Sequence, residues 1–368
     1  MTETTIVNLT LSFRVFLIGG VFLILPHITR KGLLFGVYVG EAFADRDAAR
    51  QLLGHWRRAF VILMVVSLLV GFGISLAGRP LAGNFSSGAT LLLGGLGLYL
   101  RFHSRALGLA PPVTAEQAKM ATAPVVGGEP MGASLAKLAL GFCLLTSLAA
   151  FVYAVVSSEG LWSDRSFVAV VFVPSLNLVL SPFLALLALL TANAKRSVRG
   201  GSGGRSVEAQ DAFRKANANM LSWFSLLNCA FLTILSVRIV RIRLSGTSSL
   251  GGGFWLMEGV MAGIVIVFAL FCLIRILKRY GQGGALIERA SVDAPLTDGL
   301  ADNAHWVWGL FYVDRDDPSI MVEKRFGIGY TFNYGNRTAI LIVGTVLLLF
   351  LGLIALGLFG TLIGGAQP

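Results

Sequence analysis

Three carboxylates stand close together near the end of the chain, Asp314, Asp316 and Asp317. Clustered carboxylates attract hard cations such as calcium or magnesium, and in an extended segment Asp314 and Asp316 share one side. The EF-hand spacing, with its central Gly and distal Glu, is absent. Asp317 stands directly before Pro318, so capping of a turn is the ordinary reading. "GIGYTFNYG" supplies Gly327, Gly329 and Gly335 but lacks the G-x-G-x-x-G spacing, which makes them strand glycines rather than a phosphate cradle. "GGSGGRS" at 200–206 has no Lys-Ser/Thr after its glycines and reads as a linker. His27, His55, His103 and His305 are scattered, and neither H-E-x-x-H nor G-x-S-x-G occurs. Cys143, Cys229 and Cys272 fall in apolar runs at unrelated spacings and read as free thiols. No catalytic, metal or cofactor site is expected.

A second group of polar residues matters because lipid makes them costly. Arg14 and Glu258 each stand four or five residues inside an apolar run and at similar depth, so they either pair or extend separately to the interface. In "FVAVVFVPSLNLVLSPFLALLALL", Pro174 and Pro182 bracket Asn177, and Asn228 lies in the following run. Proline frees backbone carbonyls, as in the central sites of many transporters, whereas paired Asn side chains also serve as helix-packing contacts.

The elements that must carry these residues follow from composition. The 368-residue chain is 55% hydrophobic and 13% charged, with mean hydropathy +0.76, too apolar for a soluble core. Runs long enough to cross a bilayer occupy 59–78, 80–100, 138–158, 167–191, 216–237 and 338–366, with 259–274 extended past Glu258 and a first run at 9–25 that contains Arg14. The expected fold is an all-α polytopic membrane protein of about eight transmembrane helices. The first run is expected to be retained as an anchor, because a signal peptide's basic start and cleavage site are missing.

The net charge of +11 is distributed by parity: twenty-three basic residues fall in the odd-numbered connections and five in the even-numbered ones. The positive-inside rule then places the odd connections in the cytoplasm and both termini outside, in a cell membrane. Arg238, Arg241 and Arg243 dissent, at an outer helix end. Amphipathic segments at 45–60 and 207–224 should lead into the second and sixth spans, with Trp56 and Trp223 as interface anchors.

The organisation expected is a bundle over 1–277, a linker over 278–303, a cytoplasmic aromatic motif over 304–337, and the last helix with its tail over 338–368. Within the motif, Asp-Pro should turn the chain between two short strands, giving one hairpin-like unit. "HWVWGLFYVDRDDPSIMVEKRFGIGYTFNYG" resembles a C-terminal domain of unknown function found in certain bacterial polytopic membrane proteins. The resemblance is carried by Trp306, Trp308, Tyr312, Asp317, Pro318, Lys324, Arg325, Gly327, Gly329, Thr331 and Asn333. "LPHITRKGLLFGVYVGEAF" is similar to an uncharacterised domain of Sdp-type toxin immunity proteins. That resemblance implies resistance to a toxin, or signalling of its presence.

"RKGLLFGVYV" and "EKRFGIGYTF" also echo each other, so Gly36 and Gly329 are expected side by side. The functional expectation is a non-enzymatic membrane protein that senses or resists an envelope-acting agent. A secondary transporter with a midplane site near Asn177 is the alternative. The partners implied are the lipid bilayer and a membrane or cytoplasmic protein. No nucleic acid or cofactor is implied, and the residues identify no small-molecule ligand.

Overall fold

The computed structural model describes residues 3–29, 32–40, 47–111, 132–158, 165–196, 203–245, 252–284, 286–287 and 303–365. Eight long helices occur among them: α1 (Glu3–Ile28), α2 (Asp47–Leu76), α3 (Pro80–Leu107), α4 (Ala133–Ser157), α5 (Arg165–Ala192), α6 (Gly203–Leu244), α7 (Gly252–Tyr280) and α8 (Arg337–Gly365). Six are long and apolar enough to cross a membrane: α2 and α4 to α8. The apolar part of α1, Leu11–Pro26, is shorter. The amphipathic segments do not form separate helices over 47–60 and 207–224, because α2 and α6 run through these residues into their apolar stretches.

The helices pack in two groups. α1, α2 and α3 pack on one another, and α4, α5 and α6 form a second set against which α7 and α8 lie. Small residues let α2 and α3 approach: a Cβ on Gly83 would come within 2.4 Å of the Gly71 carbonyl oxygen. Two polar contacts join helices inside the first group: Ser67 Oγ lies 2.9 Å from Ser87 Oγ, and Ser75 Oγ donates to Asn8 Oδ1 at 2.7 Å. Trp56, expected at the interface, is instead fully buried against Phe35, Phe60 and Phe102, whereas Trp223 is exposed. Aromatic burial on this scale anchors the core of the first group.

Three small hairpins complete the chain. β1 (Leu33–Leu34) pairs with β2 (Val37–Tyr38), β3 (Trp306–Val307) with β4 (Phe311–Tyr312), and β5 (Met321–Glu323) with β6 (Tyr330–Phe332), all antiparallel. The stretch before α8 is therefore two hairpins rather than one. The Asp317-Pro318 turn joins them, and a bridge between Tyr312 and Asn333 aligns them. Two-stranded hairpins this short are marginal alone, so their stability comes from what they pack against.

Candidate site: a clasp between the helix groups

The turn of the first hairpin is Phe35-Gly36, with φ of 47° and 78°, the left-handed pair that a two-residue turn of matching twist requires. The turn of the third strand begins Trp308-Gly309, with φ of 54° and 67°. Phe35 and Trp308 are the only non-glycine residues of positive φ among the described residues. The two turns meet face to face. A Cβ on Gly36 would stand 2.6 Å from the Gly309 oxygen, and one on Gly309 would stand 2.8 Å from the Gly36 Cα. Tyr99 on α3 donates its hydroxyl proton toward the carbonyls of both Phe35 and Trp308, each at 3.0 Å, and His103 Nδ1 lies 2.8 Å from the Phe35 oxygen.

The partner of Gly36 is thus Gly309, not Gly329, which has open space where a Cβ would be. The 32–39 and 323–332 segments pack together without pairing as strands. Phe326 stacks on Phe35 with centroids 6.3 Å apart and lies 4.7 Å from the Tyr99 ring.

Further contacts tie the motif to the first helix group. Asn303 Oδ1 accepts from the Tyr38 N–H at 3.2 Å and from Arg325 at 2.6 Å. Arg325 is buried and lies over the Trp306 ring at 5.1 Å, a desolvated cation on an aromatic face. Gly327 approaches Leu25 and Thr29 at the end of α1.

On its other side the motif holds the second group. Lys195, just beyond α5, donates its N–H to the Met321 carbonyl and its ammonium to Asp317 Oδ2 at 2.7 Å. Phe213 on α6 meets Tyr330 at 6.1 Å. The turn after α7, Gln282–Gly284, is buried, and a Cβ on Gly283 would collide with the Glu323 carboxylate at 2.2 Å. Lys324 itself is exposed, while its carbonyl accepts from Gln282. Beside this junction Arg196 grips Asp211 through two hydrogen bonds of 2.8 and 2.9 Å, and Arg214 joins the same carboxylate.

The interior of the motif is closed upon itself. Asn333 is fully buried and uses its whole amide: Oδ1 accepts from the N–H groups of Asp314 and Gly335, and Nδ2 donates to the carbonyls of Asp314 and Asp317. Tyr312 donates to Asp314 Oδ2 or Asp317 Oδ2 at 3.1 and 3.0 Å. Burial, then the neighbouring charges of Asp317 and Asp314, push its hydroxyl well above the usual tyrosine range. Burial also works to raise the Asp317 carboxyl, but hydrogen bonds from Lys195 and the Ser319 N–H outweigh it and hold the group below its ordinary value.

Asp314 and Asp317 cap local turns through the N–H groups of Asp316 and Ser319, as the sequence suggested. Lys195 occupies the position beside Asp317 that a cation would take. Among the described residues no group of three or more His, Cys, Asp or Glu could hold a metal ion. Thr331 is buried opposite Val322, and Pro318 is exposed with its carbonyl accepting from Asn336. Chemically the arrangement is a neutral Tyr, a paired Lys-Asp and a satisfied Asn, which is the chemistry of a lock.

Among the polar candidates of the apolar helices, Arg14 and Asn177 have described partners. Arg14 donates to the Asn84 carbonyl on α3, so it has a partner without Glu258, whose side chain lies outside the described residues. Asn177 and Asn228 do come together, through Ser181. Asn177 Nδ2 donates to Thr233 at 2.9 Å, Ser181 to Asn177 Oδ1 at 2.7 Å, and Asn228 Nδ2 to Ser181 at 3.0 Å. Asn177 is fully buried, and α5 continues through Pro174 and Pro182 without a break.

Residues 315–340 match a family described as a family of unknown function, DUF5808. The match covers Asp317, Pro318, Lys324, Arg325, Gly327, Gly329, Thr331 and Asn333 and runs into α8, while Trp306, Trp308 and Tyr312 precede it. Comparison with curated proteins and with solved structures finds no match. Lys195, Asn303, Tyr99 and Gly309, which make the junction, were absent from the residues singled out in sequence. Only Gly309 carried a signal, in the F-G and W-G turns placed between alternating apolar residues.

Proposed function

We propose that this chain is a non-enzymatic integral membrane protein that crosses the membrane eight times, with its basic connections and the motif on the cytoplasmic side. In this reading it senses or resists an envelope-acting agent, and residues 303–336 are the clasp through which one helix group constrains the other. One observation carries the reading: the motif contacts both groups, through the Gly36–Gly309 backbone contact on one side and Lys195–Asp317 on the other. Such a junction suits coupling between two packed units better than turnover. The similarity of the first connection to the Sdp-type immunity domain supports a protective role. A strain lacking the protein should be more sensitive to membrane-active peptides, and a clasp variant present at normal level should fail to restore resistance. Unchanged sensitivity across pore-forming, lipid-extracting and charge-dissipating agents would sink the reading.

The transporter reading rests on the Thr233–Asn177–Ser181–Asn228 chain beside two prolines. It requires uptake into proteoliposomes that is lost in Asn177→Leu. The packing role requires a loss of stability instead.

A further inference from the structure

The two left-handed aromatic-glycine turns are used differently. Phe35 is 1% exposed, wedged among Trp56, Tyr99 and Phe102, whereas Trp308 is 52% exposed. A non-glycine residue in the left-handed region is strained, and at Phe35 core burial offsets that strain. At Trp308 no comparable burial exists within the described protein. Around it, the outward side of β3–β4 is apolar: Val307 and Phe311 face each other across the hairpin, and Val313 continues the patch, all exposed. The inward side carries Trp306 and Tyr312.

The helices around the patch mark its height. On α2 the exposed residues change from Arg57 and Arg58 to Val61 and Ile62, and on α8 from Arg337 to Ile340 and Leu341. On α3 they change from Leu92, Leu93 and Leu96 to Arg101. Tyr99, whose hydroxyl reaches the Trp308 carbonyl, lies at that boundary, and Phe311 touches Tyr334 three residues before Arg337. The apolar patch therefore stands at the level of the basic rim of the helices' apolar belt.

We propose that the outward face of the β3–β4 hairpin, Val307, Trp308, Phe311 and Val313, sits in the headgroup–acyl boundary of the bilayer as an interfacial anchor of the clasp. This deepens the membrane reading and rests on it. Trp and Phe at that depth bury their rings in the acyl boundary while Arg101, Arg315 and Arg337 meet phosphate. The lipid surface thereby contacts the element that joins the two helix groups, so bilayer composition can act on the clasp directly.

The test uses the full chain in vesicles of phosphatidylcholine and phosphatidylglycerol with acyl chains brominated either near the headgroup or near the chain end. The emission lost between wild type and Trp308→Phe should be quenched most by bromine near the headgroup and little by aqueous iodide. Trp introduced as Phe311→Trp into the Trp308→Phe background should restore that behaviour, which guards against a misfolded single variant. Emission open to iodide, or shielded from both iodide and bromine by a protein partner, overturns the proposal. Leu348→Trp, on the exposed side of α8, distinguishes the two failures. If it is not quenched by chain-end bromine the membrane reading falls, whereas if it is quenched and Trp308 is not, the anchor alone falls.

Discussion

Replacing Lys195 with methionine removes a charge whose partner cannot follow it into water. The ammonium is 2.7 Å from Asp317 Oδ2, and the two side chains are 9% and 2% exposed. Deleting one member of a buried ion pair costs about 3–5 kcal/mol, because the other charge remains without compensation. Asp317 keeps donors from Tyr312 and from the Ser319 N–H, which places the loss at the lower end, about 3 kcal/mol. Adding Asp317→Asn removes the stranded charge while keeping the acceptor for Ser319, so the double variant should recover more than half of the loss. Cys143 and Cys229 are buried, and their reaction with a thiol dye during heating in detergent reports unfolding. A loss below about 1 kcal/mol for Lys195→Met, or strictly additive single losses, would refute the buried pair.

The same pair sets a pH dependence. Because the folded state holds Asp317 below its ordinary value, its contribution is complete above about pH 4 and disappears as pH falls through the folded value. Tyr312 is raised, so its contribution is complete below about pH 10 and is lost as pH rises beyond that. Unfolding profiles of Asp317→Asn at acid pH and Tyr312→Phe at alkaline pH should each be flatter than wild type. Asn333→Ala leaves four backbone groups without their partner and should cost at least about 3 kcal/mol by the same thiol assay. Gly309→Ala, at φ 67° and against the Gly36 backbone, should cost more than about 2 kcal/mol, whereas Gly329→Ala, with open space, should lose only the left-handed strain. For sidedness, an impermeant thiol reagent applied to intact cells should label Ala77→Cys and spare Arg315→Cys. The reverse would move the clasp outside.

The long apolar helices were legible because the length of an apolar run is a simple physical quantity. The helices fall where apolar runs exceeded bilayer thickness, and α2 and α6 run longer only because amphipathic sequence continues the same helix. The clasp was legible as a place but not as a structure. Strands of two or three residues are too short for alternation to separate one hairpin from two. Lys195 and Asp317 stand 122 positions apart, and an unremarkable basic residue after a helix gives no sign of its partner. Trp56 read as an interface anchor because amphipathic periodicity cannot say that a hairpin tip, Phe35, will cover it. The likeness of 30–39 to 323–332 pointed Gly36 at the wrong glycine: its contact is Gly309 of the W-G turn, where a missing Cβ permits backbone approach, and that likeness between two Phe-Gly segments carried no information on it.

Controlled cleavage of the connection between α3 and α4 tests the central claim most directly. A protease site inserted after Lys119 in the full chain would be cut after purification in detergent, leaving the first helix group free to separate from the second. If residues 303–336 clasp the groups, the two pieces of wild type should elute together. Phe326→Ala with Asn303→Ala, which removes the ring on Phe35 and the acceptor for Tyr38, should let them part. Wild-type pieces that separate at once, or variant pieces that stay together as firmly as wild type, would contradict the clasp.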